Sequence, residues 1–271
     1  MKLSVCIETL YPQLPVAERI RRVAEHGVHA VEFWDWRDKP LAELAELCRE
    51  LAVQVRVFSG QRRGSLVNAD ERDLYLQEIQ EACRAAAILG CQHLMLTSNQ
   101  LDQDGRVVNP AGHIPDALKS LYALQTLRCA ASLARQAGVV LLLEALNTRV
   151  DHPGCDLWSY DVAAALVEAV ASPHLKLLLD VYHRQVMEGY LVGFIRRWGR
   201  WVGHVHVADV PGRHEPGTGE IAWKEVASAL AEAAPEAFIG LECVPSIDSD
   251  AAIEAFQGVF AGPPGRRGEN R

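Results

Sequence analysis

Glu144, Asp180, His206 and Glu242 each close a short apolar run in the second half of this 271-residue chain. The runs are Leu141-Leu142-Leu143, Leu177-Leu178-Leu179, Gly203-His204-Val205 and Phe238-Ile239-Gly240-Leu241. Three carboxylates and an imidazole are donors that divalent cations accept through oxygen and nitrogen. A carboxylate can also bind a cation through one oxygen and move a proton with the other. A single glutamate at a strand end is ordinarily just solvated. Four ligand-type groups on successive run ends point instead to one shared ion.

The four stand 36, 26 and 36 residues apart, room each time for about one strand, one helix and two loops. That rhythm predicts a (β/α)8 TIM barrel, whose chemistry gathers where the strands end. Eight strands are expected, near 3–8, 29–34, 53–58, 92–97, 139–144, 174–180, 202–207 and 237–242. Helical periodicity fills 15–26, 40–51, 70–89, 115–136, 159–171, 185–198, 222–233 and 248–258. Gly27, Gly90 and Gly138 stand where helix C-caps belong. A doubly wound open sheet, the rival architecture, would collect its site in one crevice and not across four consecutive strand ends. The expected organisation is one barrel domain over 1–260 and a flexible, aperiodic tail over 261–271. Long strand-to-helix loops near 98–114 and 145–158 are expected to cover the mouth.

Other residues fall around the four. His204 shares a strand face with His206 but lies deeper, so a core or supporting role is expected for it. His183 follows Asp180 in Asp-Val-Tyr-His and is expected in the next loop, within reach of a substrate oxygen. The stretch from Ala208 to Glu220 is crowded with Gly, Pro and charge, which reads as a shaped substrate loop. Its Arg213 offers a planar fork for a carboxylate or polyol, with Arg149 behind it. Trp34 and Trp36 are read first as core packing and second as pocket wall. Glu32 is a candidate supporting residue that periodicity alone does not decide.

Composition narrows the partners. A formal net charge of −8 argues against nucleic acid, which is held by clustered Lys and Arg. Seven scattered cysteines with no Cys-x-x-Cys pair read as reduced thiols in an intracellular setting. The start, Met1 to Ile7, reads as a first strand and not as a secretory signal, and no segment has membrane-spanning length. A cytoplasmic location is expected. The sequence leaves room for a homo-oligomer.

Four segments carry a resemblance. LLLDVYHRQVMEG from Leu177 and HVHVADVPGRHEPGTGEI from His204 closely resemble the hydroxypyruvate isomerase family of xylose isomerase-like barrels. EALNTRVDHPG (144–154) looks like that family's strand-five exit, and GLECVP (240–245) like its strand-eight exit. The resemblance implies a divalent metal (Mg, Mn or Co) held by Glu144, Asp180, the group at 206 and Glu242. It further implies that Glu144 and Glu242 move the proton, and that His183 and Arg213 orient a small hydroxy-keto acid or sugar. The expected reaction interconverts hydroxypyruvate and tartronate semialdehyde. One departure is His206, where the better-known hydroxypyruvate isomerases are expected to carry Gln; a histidine there looks more like the related ketose 3-epimerases. C3 epimerisation of a keto-sugar is therefore the nearest alternative. A DNA-repair enzyme of the endonuclease IV type would need more ligands and a basic surface. A sugar-binding barrel without turnover would have little reason to keep both proton carriers.

Overall fold

The computed structural model describes residues 1–261, so nearly all of the expected tail (261–271) lies outside the described residues. Eight parallel strands close into a barrel in chain order. They are β1 (Lys2–Cys6), β2 (Ala30–Glu32), β3 (Gln54–Ser59), β4 (His93–Leu96), β5 (Val140–Glu144), β6 (Leu175–Asp180), β7 (Val202–Val207) and β8 (Phe238–Leu241). Closure is made by β1 on β8, with Lys2 opposite Phe238 and Val5 opposite Leu241.

Alternation along each strand divides the apolar residues between two cores. Leu141 and Leu143 of β5, Leu177 and Leu179 of β6, and Val205 and Val207 of β7 face outward into one large core beneath the helices. Their neighbours Leu142 and Leu178 face inward and pack with Val57 and Met95 in a small plug inside the barrel. Glu144, Asp180 and His206 keep the inward parity of that plug one step nearer the mouth. Register does the rest: Glu144 lies opposite Leu178, Asp180 opposite His206, and His206 opposite Gly240. Strands buried on both faces thus end on polar groups that have only one another and the mouth to face.

Around the barrel run α1 (Val16–Glu25), α2 (Leu41–Glu50), α3 (Arg72–Leu89), α4 (Asp116–Ala137), α5 (Tyr160–Val170), α6 (Val181–Met187), α7 (Leu191–Trp198), α8 (Trp223–Ala233) and α9 (Ser249–Phe260). Ser159 and Asp248 cap α5 and α9 by accepting from Val162 N and Ala251 N. Gly90 and Gly138 end α3 and α4 in the left-handed conformation.

Two expectations need correction. The single helix expected over 185–198 is two, because the chain turns left-handed at Gly189 (φ 60°) and Tyr190 (φ 53°). His183 is not in a loop. Asp180 is the N-cap of α6, its Oδ1 accepting from His183 N at 3.0 Å, so the helix starts at once and carries His183 in its first turn. Strand propensity hid this, since Asp180 serves as both strand end and cap.

Candidate active site

Glu144, Asp180, His206 and Glu242 converge at the mouth, with one ligand atom from each lying within 4.8 Å of all the others. All four are buried. His206 Nδ1 stands 3.4 Å from Glu242 Oε2 and 3.8 Å from Glu144 Oε1, and it has no hydrogen-bond partner.

The opposite edge of that imidazole is held. His206 Nε2 is 2.7 Å from Glu32 Oε2, so its N–H donates to Glu32 and Nδ1 is aimed at the carboxylates. Glu32 is itself fixed by Ser4 Oγ, which donates to its other oxygen, and His204 Nε2 lies 2.9 Å from that oxygen without hydrogen-bond geometry. Gly240 makes room for it, because a Cβ there would stand 2.4 Å from Glu32 Oε1. His204 is therefore the deeper, supporting histidine that its place on the strand suggested. Glu32, His204 and His206 also form a compact trio. Its carboxylate is committed to Ser4 and His206, which makes it support for the four-residue set.

The side chains of the site shift one another's protonation. Burial pushes the Glu144 carboxyl up and takes Asp180 to about 7, Arg213 opposing and the neighbouring carboxylates adding. Burial also works on Glu242, but His206 and Arg213 outweigh it and hold that carboxyl at about 2. His206 is pushed well up against its own burial by Glu242 and Glu32. Three carboxylates this close ionise together only with positive charge among them. Three oxygens and one imidazole nitrogen with no thiolate make a donor set for a divalent ion, and the unpartnered Nδ1 supplies the nitrogen. The residues fit a divalent ion.

Arg213 serves here as an organic cation on the same acids. Its Nη2 donates to Glu242 Oε2 at 2.6 Å and to Asp180 Oδ2 at 3.3 Å, and its guanidinium lies over the Tyr182 ring. Despite burial, Glu242 and Asp180 keep it charged. His183 accepts at Nδ1 from Asn147 Nδ2 at 2.6 Å, leaving Nε2 3.5 Å from Asp180 Oδ2. Burial, then Arg213, push its pKa well down, so it stands neutral.

Above these groups lies a cavity of about 290 Å³, lined among others by Trp34, Arg62, Glu144, His183, Arg213 and Glu242. Both expected lids supply wall: Leu101 to Gly105 from one, Leu146, Asp151 and His152 from the other. They are laced together, Asn99 Nδ2 donating to Asp156 Oδ2 at 2.7 Å and Asp156 N to Asn99 Oδ1 at 2.9 Å. His152 Nδ1 meets the Gly105 carbonyl at 2.6 Å.

Trp34 reverses its first reading. It lines the cavity and donates from Nε1 to Glu242 Oε1 at 2.6 Å, while Trp36 packs on the outer core. Arg149 points away, donating to the Val186 carbonyl at 2.9 Å. Arg62 was missed; only its place after β3, a strand whose end lacks a ligand, hinted at a role.

Comparison with known proteins gives the family of this barrel. The family described as xylose isomerase-like TIM barrel matches residues 20–258. A protein of Streptomyces coelicolor named putative hydroxypyruvate isomerase is 33% identical, the alignment covering 96% of each chain. The chain belongs to the hydroxypyruvate isomerase family of xylose isomerase-like barrels. A human relative, also named putative hydroxypyruvate isomerase, is 32% identical over 92% of this chain and 91% of its own. Among solved structures, one titled AP endonuclease, family 2 from Brucella melitensis superposes with a TM-score of 0.85 at 25% identity, covering 94% of this chain and 98% of that one. Similar barrels thus carry more than one description, so the residues of the site must decide the chemistry.

Proposed function

We propose that this isomerase-family barrel is a metal-dependent enzyme that interconverts hydroxypyruvate and tartronate semialdehyde. The observation that carries the reading is the convergence of Glu144, Asp180, His206 and Glu242 around one ion-sized locus beneath the cavity, with His206 Nδ1 unpartnered. The names of the relatives at 32% and 33% identity support the same substrate.

The reaction moves one carbon-bound proton. In hydroxypyruvate a base takes a proton from C3, the hydroxyl proton passes from the C3 oxygen to the C2 oxygen in the enediolate, and a proton returned to C2 gives the semialdehyde. A divalent ion, when bound, supplies Lewis-acid polarisation of the substrate oxygens and a template for them. Glu144 would hold that ion from β5 and Glu242 from beyond β8, on different sides of the site, and these two are the proton carriers. Trp34 fixes one oxygen of Glu242, so its other oxygen has a defined direction. His183, neutral and clamped by Asn147, orients a substrate oxygen from Nε2. Arg213 stabilises the negative charge that develops as the proton leaves. The laced lids exclude water, which would otherwise protonate the enediolate at random.

Exchange of substrate C–H with solvent deuterium, with metal stripped and restored, tests this. Metal-dependent exchange into hydroxypyruvate is expected; turnover indifferent to chelation would sink the reading. C3 epimerisation of a ketose is the second reading, favoured by the histidine at 206. A ketose panel run beside hydroxypyruvate separates the two. Nucleic acid is disfavoured by the net charge and by Asp102, Asp104 and Asp151 at the mouth.

A further inference from the structure

The cavity holds two guanidinium groups, and only one of them is hydrogen-bonded to the site's acids. Arg213 is tied to Glu242 and Asp180 at 2.6 and 3.3 Å. Arg62 lines the same cavity, and among the described residues its side chain makes no hydrogen bond. Its nearest anion is Asp35, whose Oδ2 stands 3.7 Å from Nε. The remaining charged lining residues are acidic, Asp102, Asp104 and Asp151 joining Glu144 and Glu242. Away from the metal locus and Arg213, a substrate carboxylate would meet repulsion along this wall except at Arg62.

The base of Arg62 is rigid although its head makes no hydrogen bond. Glu78 of α3, fully buried, accepts from Arg62 N at 3.1 Å, from Arg63 Nε at 2.8 Å and from Arg37 Nη2 at 2.8 Å. Its two side-chain partners neutralise it, which leaves the Arg62 guanidinium, among the described residues, only a long ion pair to Asp35 at 3.7 Å, an acid it shares with Arg37. Gly64 seals the loop onto α3: it has φ 79°, and a Cβ there would stand 2.9 Å from Tyr75 N. A planar fork on a fixed base is the device that recognises a carboxylate by two parallel hydrogen bonds. Long exposed arginines usually lack partners too, but this one is less than a third exposed and sits in the wall of the reaction cavity.

We infer that Arg62 binds the substrate carboxylate and so makes the site selective for small 2-oxo and 2-hydroxy acids over neutral sugars. This rests on the isomerase reading and deepens it. Arg213 is thereby left to the reacting end, where its acids already hold it. The departure of His206 from glutamine then does not set the substrate class, because the discriminating group lies on the opposite wall.

The test compares metal-loaded wild type with Arg62→Met and Arg62→Lys. KM for hydroxypyruvate is expected to rise about 10- to 100-fold in Arg62→Met with kcat changed less than about threefold, as for loss of a charge-assisted bond. Arg62→Lys should recover part of this, the charge remaining without the fork. Exchange into dihydroxyacetone, which has no carboxylate, should stay within about twofold of wild type by the same logic. Glycerate binding followed by calorimetry should weaken in parallel. Equal KM for hydroxypyruvate in wild type and Arg62→Met overturns the inference while the isomerase reading stands. Wild type that turns over only neutral ketoses and binds no glycerate overturns both.

Discussion

Glu32 Oε2 lies 2.7 Å from His206 Nε2, and the other nitrogen of that imidazole faces three carboxylates with no partner of its own. One hydrogen bond at the barrel centre thus chooses which histidine nitrogen is offered at the mouth. A carboxylate behind a ligating histidine fixes its tautomer and raises its basicity. Glu32→Gln should therefore weaken metal binding about 10- to 100-fold while the far-ultraviolet spectrum stays that of a folded barrel. Titration of the stripped protein with Mn or Co reads this directly. Affinity equal to wild type would remove Glu32 from the site.

Glu144→Gln and Glu242→Gln should each lower turnover by about a hundredfold or more, since proton transfer by a placed carboxylate contributes that much. Folding should survive, because amide and carboxyl have the same shape at a rim that no longer crowds three acids. Thermal melts and steady-state assays together check both halves. Near-normal activity in both variants would reassign the proton carriers.

Metal uptake should depend on pH. Burial takes Asp180 to about 7 and raises Glu144, so near neutral pH Asp180 is partly protonated in the metal-free site and an entering cation must displace that proton. His206, raised by Glu242 and Glu32 despite burial, likewise gives up a proton at Nδ1. All three carry more protons in the bare site than in the loaded one, so affinity must fall as pH drops. A loss of roughly tenfold or more between about pH 8 and pH 6 is expected, with protons released to buffer on binding. Calorimetry in buffers of differing ionisation heat measures it, and a buffer-independent heat would contradict the account.

Asp209 governs the loop that carries Arg213. Its carboxylate accepts from Val210 N, Gly217 N, Ile221 N and Trp223 Nε1 at 2.9, 2.9, 3.1 and 2.7 Å. Burial would raise its pKa, but these four donors outweigh it and hold the group below its usual range. A depressed carboxyl contributes stability that is present above its unfolded value, about 3.9, and is lost as pH falls through the folded one. Asp209→Asn should cost about 1–3 kcal/mol at neutral pH and flatten the acid limb of the stability profile. Urea melts at neutral and acid pH test both. An unchanged midpoint would show the loop to be held by other contacts.

Much of this was legible from residue order. Leu141 to Glu144 and Leu177 to Asp180 announce buried strands with a charged last residue, and a charge that ends an apolar strand has few places to go. The regular return of such ends made the barrel readable, and the rim assignment of His206 over His204 followed from distance along one strand. The helix break at Gly189 and Tyr190 was harder, because a glycine inside a periodic stretch is often tolerated. His183 was misplaced because a strand-ending aspartate and a helix cap look alike in one dimension.

Sequence alone therefore determined the eightfold alternation and the four groups that meet at the mouth, since both follow from local periodicity repeated at a steady interval. Tertiary structure decided which neighbours those groups have. Glu32 reaches His206 across 174 residues, Trp34 reaches Glu242 across 208, and Arg62 enters the cavity wall from a loop with no ligand of its own. Such pairings depend on barrel closure and strand stagger, which bring together side chains whose separation along the chain has no period to betray it.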